Sequence, residues 1–170
     1  MSYDPHKVVL LGEADVGKTE IVIQYTLGYV PKNVPQTNQF IRKLINFKDG
    51  KEVTMDIWDT AGQEKYRSSV KSFLFDAKAI ILVYDCTNEK SFKELKQYWY
   101  EQIKPVLKNN IILVVAGNKS HLYEEKKISN EEGEEWAKTI GASFFSTSTK
   151  NDSGIRPMFE YIGRKIIDSH

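Results

Sequence analysis

The segment from Gly12 to Thr19 has the residue types and the spacing of a phosphate-binding loop. It reads G-E-A-D-V-G-K-T, which matches the pattern G-x-x-x-x-G-K-[S/T]. Glycine lets successive backbone N–H groups turn toward phosphate oxygens, and a following helix adds unpaired donors and a positive dipole end. The pattern predicts that Lys18 reaches the outer phosphates and that the Thr19 hydroxyl binds Mg²⁺.

Nucleotide binding is assigned to a run of consecutive residues that begins inside this loop and ends in the predicted helix: Ala14, Asp15, Val16, Gly17, Lys18, Thr19 and Glu20. The motif alone distinguishes neither ATP from GTP nor a molecular switch from a kinase. The alternative is a chance glycine turn before a helix, and the elements on either side argue against it.

The elements that must position the loop are a strand before it and a helix after it. Short β-branched apolar runs predict strands, and one-sided apolar patterns with capping residues predict helices. Asp49-Gly50 lies between two strand-like runs and is a strong hairpin signal. The predicted strands are 7–11, 40–47, 53–58, 79–84, 111–116 and 143–146, and the predicted helices are 18–27, 91–103, 129–141 and 155–167.

This alternation of strands and helices predicts an α/β fold. The expected sheet has six strands, is mostly parallel with one antiparallel hairpin strand, and carries helices on both faces. Ligands of such sheets bind at the carboxyl ends of the strands, so the loops at those ends are the candidate functional segments.

Residues 59–64, directly after the third predicted strand, read D-T-A-G-Q-E. A strand ending in this motif resembles the Ras superfamily of small GTPases. Trp58, the stretch K-Y-R-S at 65–68 and V-Y-D at 83–85 look most like the Rab branch. The resemblance extends from Lys7 to about Ile167 and implies the P-loop NTPase G-domain fold.

The resemblance implies roles for three residues of this motif. Asp59 would hold Mg²⁺ through water, Gly62 would donate its N–H to the γ-phosphate, and Gln63 would be the catalytic residue that orients the attacking water. A hard dication prefers carboxylate oxygen, and a side-chain amide accepts from water while donating to the developing charge. The alternative for Asp59 is a carboxylate that only caps a turn.

Thr37 is the candidate sensor of the third phosphate. The family has a threonine in the loop after the first helix that closes over Mg²⁺ and the γ-phosphate, and its spacing from Thr19 matches Thr37. The family commonly reads T-I-G or T-I-E here, whereas this chain reads Thr37-Asn38-Gln39. An ordinary polar loop threonine is therefore the alternative.

The stretch N-K-S-H follows the fifth predicted strand, where the family has N-K-x-D. The resemblance implies that Asn118 ties this loop to the phosphate loop and that Lys119 lies along the base plane. The family's aspartate accepts two hydrogen bonds from guanine, whereas His121 offers one acceptor when neutral and none when charged. Two interpretations stay open: His121 is a tolerated substitution, or it marks weak or relaxed nucleotide binding.

The stretch S-T-S-T-K at 146–150 resembles the family's E-T-S-A-K. We assign Ser148, Thr149 and Lys150 to the nucleotide site. The resemblance implies that backbone N–H groups near Thr149 meet the guanine O6, a contact that the amino group of adenine cannot make.

Two further positions around the base stay open. The residue that stacks on the base is Val30 by gap-free spacing, or Tyr29, which we assign, if the loop shifts by one residue. The carboxylate missing at His121 would come from Glu124 or Glu125 if that loop is shifted.

Composition excludes several classes of function. The chain has 170 residues and a net charge of +1, which predicts one domain over 1–170 and no nucleic-acid partner. Cys86 is the one cysteine, so neither a disulfide nor a cysteine-rich metal site is expected. No apolar run reaches the roughly 18 residues of a membrane span. We expect a cytoplasmic protein, with membrane association only through a lipidated tail beyond this sequence.

The function implied by the resemblance is a GTP- and GDP-binding switch that uses Mg²⁺ and hydrolyses GTP slowly without an activating partner. Effector, exchange-factor and activating proteins would bind the two switch loops, which contain Thr37 and Gln63. Phe40, Trp58 and Phe73 are candidate contacts, and core packing explains Trp58 and Phe73 equally well. The Rab resemblance implies vesicular membrane traffic. A pseudo-GTPase that serves as an interaction module is the alternative, while a P-loop kinase is disfavoured by D-T-A-G-Q-E.

Overall fold

Six strands form one sheet in the computed structural model, which describes residues 4–33, 40–60, 70–107 and 110–169. The strands are β1 His6–Leu11, β2 Phe40–Asn46, β3 Glu52–Asp59, β4 Ala77–Asp85, β5 Ile112–Asn118 and β6 Ser143–Ser146. Their order in the sheet is β2-β3-β1-β4-β5-β6. Only the β2–β3 pair is antiparallel, and the other four pairs are parallel. The predicted sheet is confirmed.

The helices in the described residues are α1 Lys18–Leu27, α2 Val70–Leu74, α3 Glu89–Glu94, α4 Tyr100–Ile103, α5 Asn130–Thr139 and α6 Ile155–Asp168. A π-helical segment, Leu95–Trp99, joins α3 to α4, so the single helix predicted over 91–103 contains an irregular turn. The short helix α2 was not predicted, since five residues carry too little periodicity to indicate a helix.

The apolar side chains form one buried cluster on each face of the sheet. In β1, Val8 and Leu10 belong to the first cluster, whereas Val9 and Leu11 belong to the second. Residues of α1 and α6 pack in the first, and residues of α2, α3 and α5 pack in the second. Strands that are covered on both faces have no solvent-facing side, which explains continuous apolar sequences such as that of β1.

The parallel strands end at a common edge of the sheet. Asp59 at the end of β3 is in register with Leu10, and Asp85 at the end of β4 is in register with Asn118. Gly117 is in register with Ser146 at the end of β6. The end of β3 and the loops after β1, β4, β5 and β6 therefore meet at one edge, where ligands of such sheets bind.

Candidate nucleotide site

The phosphate loop follows β1 and contains two glycines at positions that leave no room for a Cβ. Gly12 has a φ of 154°, and a Cβ at this position would collide with the carbonyl oxygen of Val83 on β4. Gly17 has a φ of 102°, and a Cβ there would collide with the side-chain nitrogen of Asn118. No side chain caps α1 at Gly17, which leaves the helix N-terminus open toward the loop.

Lys18 directs its ammonium back into the loop. The residue is buried, and its Nζ donates to the carbonyl oxygens of Gly12 at 2.6 Å and Glu13 at 2.8 Å. These hydrogen bonds hold a positive charge inside the loop, where phosphate oxygens are predicted to lie.

Thr19 and Asp59 lie together although 40 residues separate them in the chain. The Thr19 hydroxyl donates to Oδ2 of Asp59 at 2.6 Å. Thr60, the next residue, anchors the end of β3 by donating its hydroxyl to the carbonyl of Leu10 at 2.7 Å. A hydroxyl and a carboxylate are the hard oxygen donors that Mg²⁺ prefers, and Mg²⁺ commonly completes its shell with water and substrate phosphate. The residues present fit that ion.

Asn118 joins the phosphate loop to the two loops that follow β5 and β6. These two loops are called the base loops because they are predicted to contact the base. Its Nδ2 donates to the carbonyl of Val16 at 2.9 Å, and its Oδ1 accepts from the hydroxyl of Thr147 at 2.9 Å. Both Asn118 and Thr147 are buried. The side-chain amide is the right group for this junction because it donates at one atom and accepts at the other.

Lys119 is the second residue that bridges these loops. Its Nζ donates to the carbonyl of Asp15 at 2.8 Å and pairs with Oδ2 of Asp85 at 3.0 Å. Asp85 in turn accepts at Oδ1 from the amide and the hydroxyl of Thr87. The sequence analysis assigns no role to Asp85. Its position at the end of a buried strand could have indicated one, because a buried carboxylate is almost always paired.

His121, in the loop after β5, contacts the loop after β6. Its Nδ1 lies 2.9 Å from the hydroxyl oxygen of Ser148, which also accepts from the amide of Asn151 at 3.1 Å. The two residues predicted to surround the base edge, His121 and Ser148, are thus directly hydrogen-bonded. Glu124 and Glu125 lie in the exposed turn Tyr123–Glu125 beyond this contact.

The remaining predicted site residues have different placements. Ala14 and Asp15 are exposed on the phosphate loop, and Asp15 has a positive φ of 66°. Tyr29 follows the glycine that ends α1 and is 61% exposed, so its ring is available to a ligand. Thr149 and Lys150 occupy the turn after Ser148.

Three predicted positions, Thr37, Gly62 and Gln63, lie outside the described residues. Their assignment to the γ-phosphate and to catalysis stays a prediction. Glu20 lies in the first turn of α1.

Sequence reasoning missed a contact between the phosphate loop and the helix on the opposite face of the sheet. The indole nitrogen of Trp99 donates to Oε2 of Glu13 at 2.7 Å. Trp99 is 2% exposed and ends the π-helical segment that interrupts the predicted helix. Such irregular turns are frequent at functional sites, and this one aims a buried indole at the nucleotide edge of the sheet.

Cys86 lies beside the base loops but is part of the core. Its thiol is 2% exposed and points to the carbonyl of Lys119 at 3.5 Å. Burial raises the pKa of this thiol, which opposes formation of a reactive thiolate.

Residues 7–168 match the model of a protein family described as the Ras family. The chain belongs to the Ras family. The match covers the phosphate loop, the end of β3 and both base loops. Members of this family are small GTPases, so the predicted P-loop G domain is confirmed.

Relatives of this Ras-family chain carry Rab names. It is 38% identical over 165 residues to the Ras-related protein Rab-21 of Mus musculus, covering 96% of this chain and 73% of that protein. It is 37% identical over 163 residues to RabJ of Dictyostelium discoideum, covering 95% of this chain and 63% of RabJ. The predicted resemblance to the Rab branch is confirmed. In the described part of the chain, no helix has the length and apolarity needed to span a bilayer.

Proposed function

We propose that this Ras-family protein binds GTP and GDP with Mg²⁺, hydrolyses GTP slowly without a partner, and acts as a switch in membrane traffic. The junction at Asn118 carries the proposal, because it holds the phosphate loop and both base loops in one hydrogen-bonded unit. A site for free phosphate has no need of that junction. A nucleotide requires it, since its phosphates and base must be held at a fixed separation.

The phosphate end of the site supports hydrolysis through Lys18, Thr19 and Asp59. Phosphate oxygens would replace the Gly12 and Glu13 carbonyls as acceptors for the Lys18 ammonium, which then stabilises the charge that develops on the transferred phosphoryl group. Thr19 and Asp59 would hold Mg²⁺, and the ion would add to that charge stabilisation. In this proposal Gln63 orients the attacking water.

We propose slow intrinsic turnover, and the ion pairs of Arg42 and Arg164 support it because they hold these two arginines away from the phosphate loop. Arg42 pairs with Asp56 at 2.7 Å between β2 and β3. Arg164 pairs at 2.8 Å with Asp49, in the turn before β3, whereas Asp59 ends that strand at the opposite edge. A stabilising arginine would then come from an activating protein.

The surface proposed for effector, exchange-factor and activating proteins includes Phe40 and Trp58. Their ring centroids lie 5.1 Å apart, and Phe40 is 36% exposed at the start of β2. An aromatic pair formed across the edge strand β2 and its neighbour β3 offers a large apolar contact area at a low entropy cost. The role in membrane traffic rests on the similarity to Rab proteins.

The test begins with the purified protein as isolated. Denaturation followed by chromatography identifies any nucleotide it carries, and calorimetric titration of GDP, GTP and ATP into the emptied protein measures preference. We expect guanine nucleotide to be released, and ATP to bind at least about 100-fold more weakly than GTP because the O6 donors reject an amino group. GTP turnover should fall at least about tenfold in Gln63→Leu, whereas GDP affinity should stay unchanged.

Two outcomes contradict the proposal in different ways. No measurable affinity for any nucleotide would favour the pseudo-GTPase, in which the domain serves only as an interaction module. Tight GTP binding with turnover that Gln63→Leu does not alter would retain the switch but remove the assigned catalytic residue.

A further inference from the structure

We infer that the base pocket accepts 6-oxopurine nucleotides equally whether or not C2 of the purine carries an amino group. The structural basis is the hydrogen bond between His121 and Ser148, which fixes what His121 presents to the base. The inference rests on the proposed function, since it assumes that a purine nucleotide occupies this site.

The hydroxyl of Ser148 decides which ring nitrogen of His121 carries the proton. Ser148 is fully buried, and one lone pair of its oxygen accepts from the amide of Asn151 at 3.1 Å. Within the described residues, Nδ1 of His121 at 2.9 Å is the acceptor within reach of the hydroxyl proton. A buried hydroxyl without an acceptor is costly, so Ser148 donates and Nδ1 accepts.

A neutral histidine that accepts at Nδ1 carries its proton on Nε2. The ring nitrogen of His121 that does not contact Ser148 is then a donor. Protonation of the ring does not change this, because Nε2 remains a donor in the imidazolium. The N1–H and the 2-amino group of guanine are donors as well, so His121 accepts a hydrogen bond from neither.

Carboxylates near this position are engaged elsewhere or lie beyond the contact. Asp85 is paired with Lys119 and accepts twice from Thr87. Glu124 and Glu125 are in the exposed turn Tyr123–Glu125. We infer that none of these three carboxylates reads the purine amino group.

Recognition of the C6 oxygen is retained. The amide of Ser148 is used by the carbonyl of Ser153 at 3.0 Å, but the amides of Thr149 and Lys150 donate to no acceptor in the described part of the chain. These two amides are donors for a C6 oxygen, and they reject the 6-amino group of adenine. The pocket therefore distinguishes a C6 oxygen from a C6 amino group, but it does not distinguish purines with an amino group at C2 from purines without one.

The experiment compares GDP with inosine diphosphate, which differs only by lacking the 2-amino group. Affinities for both are measured by calorimetry with Mg²⁺, on the emptied natural chain and on His121→Asp and His121→Ala. We expect the two nucleotides to bind within about threefold of one another in the natural chain. In His121→Asp the preference for GDP should rise to about tenfold or more, because a carboxylate accepts from the amino group.

His121→Ala is the matched control. It removes the imidazole without adding an acceptor, so the ratio should stay within about threefold if His121 does not recognise the amino group. A natural chain that prefers GDP by about tenfold, with the preference lost in His121→Ala, would overturn the inference while leaving the proposed function intact. If neither nucleotide binds the natural chain, the proposed function and the inference are both wrong. His121 is only partly buried, so both variants are expected to fold, which thermal unfolding checks.

Discussion

The hydrogen bond from Trp99 to Glu13 is predicted to stabilise the phosphate loop and to slow nucleotide release. The donor is buried, the acceptor is a carboxylate, and the heavy atoms are 2.7 Å apart. A hydrogen bond to a charged group contributes about 1.5–3 kcal/mol, and a partly exposed acceptor such as Glu13 places the pair at the lower end. We therefore expect a coupling energy of about 1–2 kcal/mol between the two side chains.

A double-mutant cycle isolates that energy. Trp99→Phe, Glu13→Ala and the double variant are unfolded in urea, and the free energies of unfolding are compared with that of the natural chain. Trp99→Phe alone also changes core packing, and Glu13 has further contacts, so neither single variant measures the pair. The cycle cancels those contributions as long as they are independent.

The same variants connect the contact to function. The Glu13 side chain anchors the phosphate loop to Trp99, so loss of that anchor is expected to loosen the loop around the bound phosphates. GDP dissociation, followed with a fluorescent analogue, should accelerate by about tenfold in each single variant, as 1.4 kcal/mol corresponds to a factor of ten. Glu13→Gln is the matched control because it keeps an oxygen acceptor without the charge and should have about half the effect.

A coupling energy below about 0.5 kcal/mol would refute the reasoning, since additivity within that range is what independent sites show. Unchanged GDP dissociation together with a measurable coupling would restrict the contact to a role in stability.

Three further predictions concern other contacts of the fold. Asn118→Ala leaves the Val16 carbonyl without its buried donor, so the free energy of unfolding of the emptied protein should fall by about 2–4 kcal/mol in urea; a loss under 1 kcal/mol would contradict this. Gly17→Ala should destabilise the protein and abolish GDP binding in calorimetry, because its Cβ meets the Asn118 side chain at a positive φ; tight binding would show that the loop can adjust. Asp49→Asn should flatten the acid side of the stability–pH curve. The hydrogen bond from Arg164 lowers the pKa of Asp49 from its ordinary value of 3.8, so its contribution is present above that pH and is lost as the pH falls through the lower folded value; an unchanged curve would contradict the assignment.

Sequence by itself determined the fold class and predicted the residues of the phosphate end of the site. The strands β1, β4 and β5 are buried on both faces, so their local apolar runs already carry the information that defines them. The phosphate loop is likewise defined by local sequence, since Gly12, Gly17 and Lys18 lie within a few residues of one another. A resemblance based on such local motifs placed Asp59 and Asn118 at the correct strand ends.

Only the tertiary structure decided how distant residues meet. The Trp99–Glu13 and His121–Ser148 contacts join residues 86 and 27 positions apart, and Asp85 reaches Lys119 across neighbouring strands. Periodicity records which face of an element is apolar, but it does not record which polar atom of a partner element lies opposite. The protonated nitrogen of His121 depends on such a partner, the Ser148 hydroxyl. The residue type was visible in the sequence, and its hydrogen-bonding character was decided by the fold.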